Sequence, residues 1–200
     1  MFAKPHCSVI AIEEHYWDPE LASHFTGSEI GKGDKIQKRL EDFGGERIRD
    51  MDEAGIDIQV LSHGAPAGQK LAPDVAIPLM KRVNDRLAAV VADKPDRFAG
   101  FASLPTNAPE AAADELERCV GLGFKGAIIN GLSNGEFLDL PKSWPIFTRA
   151  ENWMCRFIFT PPSRMTRSGV PISRITKSSF RVSRVRPGAT RSRTARRRSG

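Results

Sequence analysis

Three consecutive residues near the start of the chain, Glu13-Glu14-His15, carry side chains that could bind a metal ion. They end an apolar run that is typical of a buried strand. Strand side chains alternate between two faces, so we expect Glu13 and His15 to share one face and Glu14 to point the opposite way. The same period places Val9 and Ala11 on the face of His15. A carboxylate oxygen and an imidazole nitrogen suit a divalent ion such as zinc or manganese, although two ligands do not complete a site. A polar strand end in solvent is the alternative interpretation.

Other polar residues have simpler explanations. His63 ends a second apolar run, and the pattern favours a loop histidine before a glycine, because histidine often does no chemistry. Asp52 and Asp57 flank a predicted helix–strand turn, where carboxylates serve capping and solubility. The segment Gly31-Lys32-Gly33 is not a phosphate-binding loop, because the required glycine spacing and the following Ser or Thr are missing.

Short apolar runs alternate with helical patterns through the first 150 residues. The predicted strands are 8–15, 58–63, 98–105 and 124–131. The predicted helices are 46–54, 73–92, one that an Asn107–Glu110 capping box would open, and 141–150. This order indicates an α/β fold of parallel strands with right-handed crossovers, and a Gly- and Lys-rich insertion over residues 26–46. Four units are too few for a closed eight-stranded barrel, so a four-stranded open sheet stays possible on pattern alone.

Charge divides the chain near Glu151. Residues 151–200 contain 13 Lys and Arg and one acidic residue, whereas residues 1–150 contain 17 basic and 23 acidic residues. The formal net charge of +6 therefore combines an acidic, enzyme-like part with a basic tail rich in Arg, Ser and Thr. Such a tail could bind nucleic acid non-specifically through its phosphates.

Composition also excludes some classes of protein. The chain contains no apolar stretch long enough to cross a membrane and no apolar run typical of a signal peptide at its N-terminus, so we expect no membrane partner. The three cysteines, Cys7, Cys119 and Cys155, have neither zinc-site spacing nor the pattern of a disulfide framework. A cytoplasmic location is the expectation.

Four segments closely resemble one family. They are IAIEEHYWDPE (10–20), RIRDMDEAGIDIQVLS (47–62), VNDRLAAVVADKPDRFAGFASLP (83–105) and GFKGAIING (123–131). In this order they resemble the amidohydrolase-related decarboxylases, which include aminocarboxymuconate semialdehyde decarboxylase and the γ-resorcylate and 2,3-dihydroxybenzoate decarboxylases. The Glu-Glu-His form favours the hydroxybenzoate branch. The resemblance runs from about residue 8 to 151 and implies the N-terminal half of a (β/α)8 TIM-type barrel.

The resemblance also implies a site. Glu13 and His15 would be the first two ligands of a zinc or manganese ion, and Asn130 and Trp17 would lie near a small aromatic carboxylic acid substrate. The remaining ligands and the catalytic histidine would lie in the other half of the barrel, so no catalytic residue is assigned here. The metal would hold the phenolate and carboxylate oxygens, the ring carbon would be protonated, and carbon dioxide would leave. A buried capping Asn and a core Trp are equally compatible with the spacing.

The resemblance stops where the codons permit a second reading. The family continues with a strand close to L-D-V-P-I-Y-I-H-P, whereas this chain reads N-W-M-C-R-F-I-F-T over 152–160. Reading from the last base of the Asn152 codon gives Leu, Asp and Val without ambiguity, and then permits P-I-Y-I-H-P. We therefore predict that residues 152–200 are a frame-shifted, disordered basic tail.

Three functions follow from this sequence. The first is a metal-dependent carboxy-lyase acting on a hydroxybenzoate-type acid, with this chain an inactive truncated part of a homo-oligomeric enzyme. The second is a hydrolase of the same superfamily. The third is a non-enzymatic protein that associates with nucleic acid through the tail.

Overall fold

The computed structural model describes residues 6–26 and 34–160. They belong to one compact unit, and residues 161–200 are not among the described residues. The described strands are β1 (Ile10–Tyr16), β2 (Ile58–His63), β3 (Phe98–Gly100), β4 (Ala102–Ser103), β5 (Gly126–Asn130) and β6 (Arg156–Thr160). The described α-helices are α1 (Pro19–Ala22), α2 (Asp34–Glu41), α3 (Gly45–Ala54), α4 (Pro73–Asp93), α5 (Pro109–Gly121) and α6 (Trp144–Asn152).

All pairings between these strands are parallel, which confirms the predicted α/β class. The strands form two sheets, β1-β2-β3 and β4-β5-β6. The predicted third strand is divided between them at Phe101, whose backbone N–H still donates to the Leu61 carbonyl at 2.9 Å. The backbone N–H of Lys125 donates to the Gly100 carbonyl, also at 2.9 Å. The ladder therefore continues across the break and gives five adjacent strand positions.

Ordered structure continues past the predicted boundary at residue 151. Helix α6 ends at Asn152, and β6 pairs with β5 in a register that joins Gly126 to Arg156 and Asn130 to Thr160. Gly126 has a φ of 151°, and a Cβ there would collide with the Arg156 carbonyl oxygen. The close approach of these two strands therefore requires glycine. The predicted start of the disordered tail at residue 152 is therefore wrong, and residues 161–200 lie outside the described residues.

The helix termini follow their sequence signals with one exception. Helix α3 ends at Gly55, which adopts a left-handed φ of 72°, as the sequence predicts. Helix α5 has Ala108 as its N-cap and Pro109 in its first turn, and Asn107 Nδ2 contacts the Leu71 carbonyl instead. The predicted Asn107 capping box is therefore wrong, because proline favours the first helical position and starts the helix one residue later.

The segment predicted as an insertion over 26–46 contains helix α2 in its described part. The backbone N–H of Trp17 donates to the Leu40 carbonyl at 3.1 Å, so this helix is attached directly to the chain that leaves β1. The Gly- and Lys-rich composition concealed Ile36 and Leu40, which have helical spacing.

Apolar residues lie on both faces of the sheets. Leu61, Phe98, Ala102 and Ala127 belong to the main core with the helices, and we call this the helix-facing side. Val60, Phe101 and Ile128 form a separate cluster on the opposite surface, which we call the inner face. Strands buried on both faces are typical of parallel α/β folds. No helix in the described ranges is long and apolar enough to cross a membrane.

Candidate active site at the strand ends

A β-bulge in β1 determines which residues reach the inner face. Ile10 pairs with Ile58 and Ala11 with Gln59, but after a register shift Glu14 pairs with Leu61 and His15 with Ser62. Because Ser62 shares the face of Val60, His15 lies on the inner face and Ala11 on the helix-facing side. The expectation that Ala11 shares the face of His15 is therefore wrong, since the bulge adds one residue to the alternation.

The ring of His15 is held from the neighbouring strand. Its Nδ1 lies 3.2 Å from Ser62 Oγ, and Ser62 is fully buried. The His15 carbonyl accepts a hydrogen bond from Arg47 Nη2 at 2.9 Å. Arg47 also donates to the Asp42 carbonyl. Burial lowers the pKa of the Arg47 guanidinium. Both the ring and the backbone of His15 are therefore fixed by side chains from other elements.

The two glutamates before His15 have different surroundings. Glu14 lies on the helix-facing side, as the alternation predicts, and its Oε2 accepts a hydrogen bond from Gln59 Nε2 at 3.3 Å. Glu13 lies within the bulge, has no register partner in β2 and is exposed. The face that Glu13 and His15 were predicted to share therefore stays a prediction.

The donor set fits two positions of a metal site. An exposed carboxylate oxygen and an oriented imidazole are ligands that zinc and manganese accept. Within residues 6–26 and 34–160, no group of three or more His, Cys, Asp or Glu side chains could hold an ion. Among these residues, Glu13 and His15 are therefore not joined by a third such side chain.

His63 lies at the end of β2 but on the helix-facing side. It is 1% exposed, its Nε2 accepts the backbone N–H of Asp18 at 3.0 Å, and its Nδ1 donates to the Gly64 carbonyl at 2.7 Å. Burial lowers the pKa of His63 to about 4, and protonation of Nε2 would break the bond from Asp18. The predicted loop histidine is therefore wrong in its location, because His63 is the last residue of β2 and its ring is buried and hydrogen-bonded.

Asp18 connects the loop after β1 to helix α4. Its Oδ1 accepts the Leu21 N–H as an N-cap for α1, with Pro19 in the first turn. Arg86 donates to both of its carboxylate oxygens, at 2.6 and 2.8 Å. The Asp-Pro pair is a helix-start signal in the sequence, so this cap could have been recognised there.

Trp17 packs beside this network. Its indole ring stacks on the His63 ring with centroids 6.3 Å apart, and the side chain is only 3% exposed. A Cβ on Gly64 would lie 2.7 Å from Trp17 Nε1, so the indole position requires glycine there. The geometry favours the core role of Trp17, and its contact with a substrate stays a prediction.

Asn130 ends β5 and is partly buried. Its carbonyl accepts Gln69 Nε2 at 2.6 Å, and its Nδ2 donates to the His63 carbonyl at 3.4 Å. Asn130 shares the alternation of Ile128, so it lies at the same end and on the same face as His15. Gln69 was not singled out in the sequence, and nothing in its local pattern signals this contact.

A cavity of about 440 Å³ lies beside β1. Glu14, Gln59 and Arg47 contribute to its lining, together with apolar residues of α2 and α3. These side chains mark it as a feature of the helix-facing side. His15 also lines this cavity, so the cavity and the predicted metal site share one residue.

A sequence model of the amidohydrolase family matches residues 10–172. The chain belongs to the amidohydrolase family. This match includes Glu13 and His15 and extends past residue 151, where the resemblance in the sequence ended. The family resemblance drawn from the four quoted segments is thereby confirmed.

Decarboxylases are among the relatives of this amidohydrolase chain. It is 40% identical over 164 residues to the γ-resorcylate decarboxylase of Rhodococcus jostii, covering 76% of this chain and 50% of that protein. The 2,6-dihydroxybenzoate decarboxylase of Rhizobium superposes with a TM-score of 0.73 at 36% identity, over 81% of this chain and 52% of the other. The Polaromonas dihydroxybenzoic acid decarboxylase was crystallised with manganese and the inhibitor 2-nitroresorcinol. It superposes with a TM-score of 0.69 at 37% identity, over 79% and 50% of the two chains. The chain thus spans about half the length of these relatives.

Proposed function

We propose that this chain supplies the N-terminal part of a metal-dependent carboxy-lyase that acts on a small hydroxybenzoate-type acid. The observation that carries the proposal is 40% identity to a γ-resorcylate decarboxylase within a family match that includes Glu13 and His15. The parallel strands would form the first half of a (β/α)8 barrel, whose active sites lie at the carboxyl ends of the strands.

In this proposal Glu13 and His15 bind a divalent ion, zinc or manganese. Such an ion, when bound, supplies Lewis acidity toward the oxygens of the acid. Ser62 and Arg47 hold the His15 ring and backbone, at 3.2 and 2.9 Å. Asn130, on the same face, would contact the substrate. Val60 and the other apolar residues of the inner face exclude water, which strengthens electrostatic interactions at the strand ends.

A chimeric enzyme tests this function without involving the basic tail. Residues 1–151 would replace the matching part of the Rhodococcus relative, whose own sequence would continue from there, and carbon dioxide release from γ-resorcylate would be measured with added manganese. We expect metal-dependent turnover that His15→Ala and Glu13→Gln abolish.

Glu14→Gln is the matched control, because Glu14 lies on the helix-facing side. It should leave the chimera active. A folded chimera that releases no carbon dioxide but cleaves an ester or amide would instead support the hydrolase alternative. Full activity in His15→Ala would overturn the metal assignment.

A further inference from the structure

The contact between His15 and Ser62 has a consequence for the nitrogen that a metal could bind. The two residues are register partners in adjacent parallel strands, and His15 Nδ1 lies 3.2 Å from Ser62 Oγ. A neutral imidazole carries one proton, so one nitrogen donates a hydrogen bond and the other offers a lone pair. The direction of the contact with Ser62 therefore determines which nitrogen offers the lone pair.

Ser62 is suited to restrain the imidazole ring, because its buried hydroxyl cannot form a hydrogen bond with water in place of His15. Its side chain is fully buried at the end of β2, between Leu61 and His63. A buried hydroxyl that loses its hydrogen-bond partner is unfavourable, so this contact is retained. The bulge in β1 creates this pair, because it brings His15 to the face of Ser62 and moves Ala11 to the other side.

We propose that Ser62 is a positioning residue for His15. Its Oγ accepts a hydrogen bond from His15 Nδ1–H, which fixes the ring orientation and assigns the metal-binding lone pair to Nε2. This inference rests on the proposed function only in taking His15 as a ligand. Hydrogen bonds of this kind orient ligating histidines and raise their basicity.

The tautomer can be measured on the whole chain without metal. Long-range ¹H–¹⁵N spectra of the ¹⁵N-labelled protein near pH 8, where unperturbed histidines are neutral, should show His15 protonated at Nδ1. Ser62→Ala should shift His15 toward the Nε2–H form, and Ser62→Thr, which keeps the hydroxyl, should retain the original form. His63 is an internal reference, because Asp18 and Gly64 fix its own tautomer. An Nε2–H form of His15 in the unmodified chain would overturn the inference.

Ser103→Ala is the matched control for Ser62→Ala. Ser103 is also a buried serine in a parallel strand, but its Oγ has no hydrogen-bond partner among the described residues. Removing this hydroxyl should leave the His15 spectrum unchanged. An equal response to both variants would show a general loosening of the strands and would contradict a specific role for Ser62.

Manganese titration of the chimeric enzyme by calorimetry provides the second readout. Removing a partner of a ligating histidine typically weakens metal binding about 10- to 100-fold, so Ser62→Ala should do this while Ser62→Thr and Ser103→Ala bind normally. If His15→Ala leaves manganese binding intact, the proposed function fails. If His15→Ala abolishes binding while Ser62→Ala changes neither affinity nor tautomer, only the positioning role fails.

Discussion

The two histidines at the ends of β1 and β2 differ in what their surroundings allow. His15 lies on the inner face, partly buried, with Ser62 at its Nδ1. His63 lies on the helix-facing side, fully buried, with both nitrogens hydrogen-bonded to backbone groups. The same side chain is therefore a proposed metal ligand in one position and a buried structural residue in the other. The face of the strand, rather than the residue type, makes this difference.

The largest expected effect is the loss or presence of decarboxylase activity. We predict that the 200-residue chain has no decarboxylase activity, and that restoring the alternative frame after residue 152 produces it. The shifted codons permit a histidine at the position of Thr160, which pairs with Asn130 at the strand end. Two ligands from one strand give a weak site, whereas catalytic zinc sites usually have three protein ligands.

The two gene products should be assayed side by side with γ-resorcylate and 2,3-dihydroxybenzoate, following carbon dioxide release with added zinc or manganese. Sequencing the coding DNA around codon 152 is the accompanying control. Metal-dependent turnover by the 200-residue chain would contradict this prediction.

The second prediction concerns the acid stability that His63 confers. Because burial lowers its pKa to about 4 from 6.5, the unfolded state binds an additional proton between these values. Stability from His63 is therefore complete above pH 6.5 and decreases by about 3 kcal/mol as the pH falls to 4. The free energy of unfolding in urea should be measured for the unmodified chain and for His63→Gln. The difference between the two should narrow as the pH falls from 6.5 to 4. A constant difference would mean that His63 does not titrate as a buried base.

The third prediction separates the buried and exposed carboxylates that contact Arg86. Asp18→Ala removes an N-cap and two ionic hydrogen bonds from a residue 3% exposed, so we expect a loss of about 2 kcal/mol. Glu20→Ala removes partly exposed pairs with Arg86 and Arg82 and should change stability little, because solvent screens such pairs. Chemical denaturation measures both variants. Equal losses would show that burial does not distinguish the two carboxylates.

The smallest expected effect concerns the glycine next to His63. Gly64→Ala would place a Cβ 2.7 Å from Trp17 Nε1, and displacing the indole should cost about 1–2 kcal/mol. Gly45→Ala is the control, since a Cβ there meets no atom within 4 Å. We expect the control to be neutral or slightly stabilising. Thermal melts and tryptophan fluorescence follow both variants, and an unchanged Gly64→Ala would show that the indole can move without cost.

The sequence was sufficient for the order of the main elements. The apolar run over 58–63 predicts β2 with its observed bounds, and the pattern over 73–92 predicts helix α4 within one residue. These predictions succeed because strand and helix periods are local properties of the chain. Helix α2 was not predicted, because it has only two apolar residues. A short helix of this kind depends for its stability on tertiary contact, here with the chain after β1.

The sequence by itself determined the family, through segments such as IAIEEHYWDPE, and the presence of a carboxylate and an imidazole at the end of β1. The tertiary structure determined the surroundings of each side chain. A bulge, which strict alternation does not anticipate, changed the face of Ala11 relative to His15. Ser62, Arg47 and Asp18 acquire their roles from residues distant in sequence, and such contacts form only when the strands and helices pack together.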